Sequence, residues 1–238
     1  MNIRSTRDSY FKNKTIEAFL NKSEGVVFDY NGLIVDDEPL QLQAFNQIFK
    51  KYGGISIDKE TFISECVGKR PSEVFSYVFS KNGIRVNDIS LCVEQWRKSR
   101  EEIQVDPNSI IREGVRDLIL YLTEIGKELC LVSSSSRSLI TDSLSQLNLI
   151  QYFDALVTSN DVQHGKPAPD PYLRASFLLN IKPCKLLAFE DTSNGVQSAR
   201  EAGIKCIAVP NRFTEKQNFS RASLILSSLS VYAKILVK

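Results

Sequence analysis

The sequence predicts an α/β fold: a parallel β-sheet with helices on both faces, and a helical cap inserted after the first strand. Three observations carry this. Short apolar runs alternate with amphipathic helical stripes through the second half of the chain. One further apolar run, Gly25–Tyr30, stands far upstream of them, and the stretch between is helical in pattern. Strands that alternate with helices are joined by right-handed crossovers, and such strands pair in parallel.

Gly25-Val26-Val27-Phe28-Asp29-Tyr30 reads as a buried strand running into an Asn31-Gly32 turn. From Leu40 to Gln104 the period becomes helical. Leu42, Phe45, Phe49 and Tyr52 form one stripe, Val74, Phe75, Val78 and Phe79 a second, and Cys92, Val93 and Trp96 a third. A helix with Val115, Leu118, Ile119, Leu122 and Ile125 then precedes a strand at Glu128–Val132. Helix Leu139–Leu147, strand Ala155–Val157, helix Tyr172–Leu179, strand Lys185–Phe189, helix Gly195–Ala202 and strand Cys206–Val209 follow, with Leu224–Leu226 as a last strand. Ahead of the first strand, Tyr10, Phe11, Ile16, Phe19 and Leu20 predict a short helix packed on the body. The expected organisation is an N-terminal helical extension over residues 1–23, a sheet core over 24–38 and 111–238, and a cap over 39–110.

Composition narrows the function classes. With 42% hydrophobic and 24% charged residues among 238, the chain has the balance of a globular protein able to bury a core. A net charge of +2, with both signs interleaved, argues against nucleic acid or an acidic membrane as partner. No apolar stretch approaches a membrane span. The first 23 residues lack the apolar run of a secretory signal, and Asp8, Glu17 and Glu24 break an acid-poor transit pattern. Cys66, Cys92, Cys130, Cys184 and Cys206 show no paired spacing, which predicts buried free thiols in a reducing compartment, the cytoplasm. The chain is expected to be a monomer or weak dimer. His164, the one histidine, excludes chemistry that needs two or three, and reads as an exposed loop residue.

In a parallel sheet, ligands bind beyond the carboxyl ends of the strands. Four groups of polar residues are expected there, each following a strand: Asp29-Tyr30-Asn31-Gly32, then Ser133, then Lys166, then Glu190-Asp191. Asp29, Glu190 and Asp191 offer the oxygen ligands that a hard cation takes. A carboxylate is also a competent nucleophile toward phosphorus, provided that a cation and Lys166 offset its charge against the phosphate. The Ser133 hydroxyl and backbone N–H groups after Asp29 are suited to the remaining phosphoryl oxygens.

The segments FDYNGLIVDDEPL (28–40), LVSSSSR (131–137), GKPAPDPYL (165–173) and FEDTSNGVQSAREAG (189–203) resemble, in order and spacing, the four motifs of the haloacid dehalogenase superfamily. The likeness is to its β-phosphoglucomutase and phosphoglycolate phosphatase branch and spans about residues 25–215. The resemblance implies a Rossmann-like core with an inserted helical cap, and a Mg2+-dependent phosphohydrolase of a small phosphorylated metabolite acting through an aspartyl phosphate. It implies Asp29 as nucleophile, Ser133 as phosphoryl-binding hydroxyl and Lys166 as neutralising cation. It implies Asp29, Glu190, Asp191 and the main-chain carbonyl of Asn31 as Mg2+ ligands. By position, Gly68, Lys69 and Arg70 match the cap loop that touches substrate, with Ser134 beside them. Lys69 and Arg70 suit a second anionic group.

The chain departs from the pattern where the family carries a second Asp, the general acid and base, for that position is Asn31. Gln41 replaces a frequent His, and Asp37 a Ser or Thr. General acid–base catalysis is worth about 10²–10⁴-fold, most for poor leaving groups. Three readings follow: a substitution introduced to trap an intermediate, a natural phosphatase in which Asp37, Glu38 or water supplies the proton, or an impaired protein that binds phosphate compounds. The accompanying changes at Asp37 and Gln41 favour the second. A β-phosphoglucomutase-like isomerase is a further alternative, disfavoured because it must move protons at sugar hydroxyls in both directions.

Overall fold

The computed structural model of the protein describes residues 14–103 and 105–230. Tyr10, Phe11 and Gln104 lie outside them. Residues 14–22 form helix α1, followed by β1 (Gly25–Asp29), α2 (Glu38–Gly53), α3 (Lys59–Glu65), α4 (Pro71–Lys81), α5 (Ile89–Glu102), α6 (Val115–Glu124) and β2 (Glu128–Val132). Then come α7 (Arg137–Gln146), β3 (Ala155–Val157), α8 (Asp170–Leu179), β4 (Leu186–Glu190), α9 (Ser193–Glu201), β5 (Lys205–Ala208) and β6 (Leu224–Ile225). All described strands pair in parallel, in the order β3-β2-β1-β4-β5-β6. This is a Rossmann-like sheet whose order reverses between β1 and β4, and the crevice at such a reversal is where ligands bind.

The strands are apolar throughout because both faces of the sheet are covered. Their side chains alternate between two clusters. Val26 and Phe28, Leu129 and Leu131, and Leu187 and Phe189 face α1, α6 and α7, among Ile16, Leu20, Leu118, Leu122 and Ile140. Val27, Cys130, Val132, Leu186 and Ala188 face α8 and α9, among Tyr172, Ala175, Val196 and Ala199. A one-residue slip of β1 would exchange these faces, so its register is tightly specified. That register sets Phe28 level with Phe189, and Asp29 level with Val132.

Helices α2 to α5 pack around a core of their own. Phe45, Phe49, Phe62, Phe75 and Phe79 fill it, with ring centroids 5.2 to 6.1 Å apart. Helix α3 was not apparent as an apolar stripe, because among its residues only Phe62 is buried. Its start is marked instead by Asp58, whose side chain accepts from the Thr61 N–H at 2.8 Å. One side chain of this core comes from outside the insertion. Phe213, in the connection from β5 to β6, is 3% exposed and belongs to the same cluster.

One expectation needs correcting. Lys166 does not directly follow a strand; it lies well down the loop between β3 and α8. Helix α9 is capped by Thr192, with its hydroxyl accepting from the Gly195 N–H at 3.1 Å. His164 is exposed, as expected, and pairs with Asp170 at 3.0 Å. Four of the five free cysteines are buried, and Cys184 is exposed. Among the described residues no helix is long and apolar enough to cross a membrane.

Phe75 is fully buried and touches Phe45, Phe49 and Phe79. Phe75→Ala is expected to cost about 3–5 kcal/mol, read as a lower urea midpoint. A loss below about 1 kcal/mol would show that the helices collapse to refill the space.

Candidate functional site

Asp29 is the last residue of β1, Glu190 the last of β4, and Asp191 follows it. All three are buried, and each offers a carboxylate oxygen within 4.8 Å of the others. Two glycines make room for them. A Cβ at Gly195 would sit 2.0 Å from the Glu190 carboxyl carbon, and one at Gly32, where φ is +78°, would sit 2.1 Å from Asp191 Oδ2. Lys166 reaches in from its loop. Its Nζ pairs closely with Asp29 Oδ1, lies 2.6 Å from Glu190 Oε1, and is 3.4 Å from the Val132 carbonyl. The Tyr172 hydroxyl donates to Glu190 Oε1 at 2.6 Å, and the Lys166 ammonium lies 5.6 Å from the Tyr172 ring centroid.

Three buried carboxylates thus face one ammonium. Burial pushes Asp29 up to about 7 against the pull of Lys166, with Glu190 adding to the rise. Burial, then the charges of Asp29, Glu38 and Glu190, hold Asp191 well above the carboxylate range. Burial alone would lower Lys166, but Asp29 and Glu190 outweigh it and push the ammonium up. One oxygen, Asp191 Oδ1, is buried without any hydrogen-bond partner. An excess of desolvated negative charge, an all-oxygen donor set and an orphaned carboxylate oxygen fit a hard divalent cation, which would draw these carboxyls back to their ionised forms.

Asn31 is held at both ends of its amide. Asn31 Oδ1 accepts from Ser133 Oγ at 3.1 Å and Ser135 Oγ at 2.9 Å, while its Nδ2 donates to Asp37 Oδ2 at 2.8 Å. Asp37 precedes α2 but makes no capping bond to that helix. Its carboxylate, 1% exposed, accepts instead from Arg100 of α5 at 2.9 Å and from Gln41 at 3.4 Å. Glu38 is also buried, and burial followed by the charge of Asp37 pushes it up to about 8. Its Oε2 has no partner.

A cavity of about 350 Å³ opens over these groups, lined by Asp29, Asn31, Ser133, Lys166 and Asp191 from below and by the α2–α5 insertion from above. Gly68, Lys69, Arg70 and Ser134 all line it. So do Val93, Trp96, Arg97 and Arg100, whose spacing marks one face of α5. Arg70 donates to the Gly165 carbonyl at 3.0 Å, and the Lys69 ammonium lies 4.8 Å from the Tyr77 ring centroid. Asn194 donates to the Gly68 carbonyl. The loop between α3 and α4 is therefore tied to the sheet side of the cavity.

Sequence reasoning missed Ser135, Tyr172, Arg100 and Asn211. Ser135 and Tyr172 both lie inside the segments quoted above, Tyr172 also at the start of a helix, without a separate role. Arg100 and Asn211 had no local signal, since their partners are 63 and 20 or more residues away.

Fold and site together define a Rossmann-like hydrolase with acidic residues at the switch point of its sheet and a helical insertion above them. The chain belongs to the haloacid dehalogenase-like hydrolases, matching that family over residues 26–209. It is 32% identical over 194 residues to the "Putative phosphatase YhcW" of Bacillus subtilis (strain 168), covering 80% of this chain and 85% of that protein. It is 29% identical to the phosphorylated carbohydrates phosphatase of Thermotoga maritima, covering 77% and 83%. In fold it is similar to the crystal structure of CbbY from Rhodobacter sphaeroides in complex with phosphate, with a TM-score of 0.74, 24% identity and coverage of 87% and 95%.

Removing Arg100 would leave Asp37 buried without its cationic partner. Arg100→Ala is expected to cost about 3–5 kcal/mol of folding stability, measured by urea unfolding, with Arg100→Lys recovering part of it. A cost typical of an exposed pair, under about 1 kcal/mol, would mean that water replaces the guanidinium.

Proposed function

We propose that this chain is a Mg2+-dependent phosphohydrolase of a small phosphorylated metabolite, a sugar phosphate or a phosphoglycolate-like acid, acting through an aspartyl phosphate on Asp29. The observation that carries the reading is Asp29 itself: a buried carboxylate at a strand end, paired with Lys166, grouped with Glu190 and Asp191, and facing a cavity. The relative named for phosphorylated carbohydrates supports the substrate class. The free cysteines support a reducing, cytoplasmic setting.

Asp29, Glu190, Asp191 and the Asn31 carbonyl would hold Mg2+, which when bound supplies charge neutralisation toward the phosphoryl oxygens. The residues of the chain do the rest. A carboxylate oxygen of Asp29 attacks phosphorus, the bond to the leaving oxygen breaks, and that oxygen takes up a proton. Water then attacks phosphorus and releases inorganic phosphate, restoring the Asp29 carboxylate. Lys166 offsets the repulsion between Asp29 and the incoming phosphate, and the Ser133 hydroxyl holds a phosphoryl oxygen. Gly68, Lys69, Arg70 and Ser134 line the cavity on the substrate side, where Lys69 and Arg70 offer positive charge to a second anionic group.

Asn31 cannot supply the proton at neutral pH. Asp37 is committed to Asn31, Arg100 and Gln41, which leaves Glu38 and water as proton sources. Alkyl phosphates, whose leaving groups need a proton most, should then be turned over slowly.

A panel of sugar, aryl and acyl phosphates tests this. Mg2+-dependent phosphate release is expected from the unaltered chain and is expected to vanish in Asp29→Asn. Asn31→Asp is expected to accelerate alkyl phosphates by about 10²-fold or more, and aryl and acyl phosphates much less. Equal gains on every substrate would contradict the assignment at position 31, and survival of activity in Asp29→Asn would contradict the nucleophile.

A further inference from the structure

Asp191 presents its two oxygens very differently. Oδ1 is buried with no partner, whereas Oδ2 accepts from Asn211 Nδ2 at 3.0 Å. The same amide nitrogen donates to Glu38 Oε1 at 2.6 Å and lies 3.2 Å from the Gly32 carbonyl. We propose that Asn211 is a positioning residue for the acidic cluster: its amide holds Asp191 Oδ2 so that Oδ1 is presented to the cation. This rests on the metal-dependent reading of the site above.

The orientation of the Asn211 amide follows from both of its ends. Its Oδ1 accepts from the backbone N–H groups of Phe213 at 2.7 Å and Thr214 at 3.2 Å. A flipped amide would set oxygen against three acceptors and NH2 against two donors. The turn is closed a second time by the Asn211 N–H, which donates to Thr214 Oγ1 at 2.9 Å. Phe213, two residues further along the turn, is buried among the phenylalanines of the α2–α5 insertion. The amide is therefore fixed from behind, by groups that touch neither Asp191 nor the cavity. Asn211 itself is not among the residues lining the cavity.

A neutral donor suits this place for an electrostatic reason. Glu38 and Asp191 are close enough to share one NH2 group, and like charges so placed repel. The amide supplies hydrogen bonds to both without adding a charge to compete with the cation. A lysine there would bring a permanent positive charge into that role, and a leucine would leave both oxygens bare. Partners that orient a ligand from outside typically account for about 10–100-fold in metal affinity when removed.

The test is cation binding by the full chain, with Mn2+ followed by electron paramagnetic resonance and Mg2+ by competition. Asn211→Ser keeps an acceptor for the turn but is too short to reach Asp191, and Asn211→Ala removes both functions. Thr214→Val loosens the same turn without touching the cluster, and Asp191→Asn marks the loss of the ligand itself. The expected result is a dissociation constant raised about tenfold or more in Asn211→Ser, with Thr214→Val within about twofold of the unaltered chain and a native circular dichroism spectrum in both. An unchanged constant in Asn211→Ser would overturn the proposal, as would equal weakening in Thr214→Val. If the unaltered chain binds no cation, the metal-dependent reading falls and this proposal falls with it. If it binds, and only Asp191→Asn weakens it, this proposal alone fails.

Discussion

Lys166 lies between Asp29 and Glu190 in a buried crevice where three carboxylates meet one ammonium. Desolvated like charges are costly unless they are paired and hydrogen-bonded. Much of the surrounding structure serves that constraint. Tyr172 donates to Glu190 from α8, and Thr192 and the Asp191 N–H approach its second oxygen. Gly32 and Gly195 leave room that any side chain would fill. The sheet brings this about by register, since the level pairing of β1 with β4 sets both carboxylates at one edge.

A second network runs from this centre into the helical insertion. Ser133 and Ser135 hold one end of the Asn31 amide and Asp37 the other, with Arg100 of α5 completing the chain. Asn31 is thus built into a set of complementary donors and acceptors. An amide can accept from two hydroxyls while donating to a carboxylate. An ionised Asp at position 31 would accept from the serines equally well, but would meet Asp37 as a like charge. An amide at position 31 and a carboxylate at position 37 are therefore complementary.

Most of the fold was legible because its signals are local. Runs such as Val26-Val27-Phe28 and Cys130-Leu131-Val132 are continuous apolar strands, and the α6 stripe of Val115, Leu118, Ile119 and Leu122 has clean helical spacing. Helix α3 was not legible, because Phe62 is its sole buried residue. Asp29, Asn31, Ser133, Lys166, Glu190 and Asp191 were legible only as a set, from the order and spacing of four short segments, and the fold brings them into one cavity or its floor. What could not be read were long-range partners. Arg100 meets Asp37 only because α5 folds back over the sheet edge, and Asn211 meets Asp191 only because β5, which leads to it, lies beside β4. Phe213 looks like a loop residue in the sequence, yet it completes a core formed by another part of the chain.

The proposed reaction requires that the Asp29 carboxylate become covalently phosphorylated. Its most direct test is peptide mass mapping after brief exposure of the chain to Mg2+ and a small acyl phosphate, quenched in acid. The expected result is a phosphoryl adduct on the peptide containing Asp29, dependent on Mg2+ and absent from Asp29→Asn. An adduct on another residue, or rapid phosphate release that persists in Asp29→Asn, would contradict it.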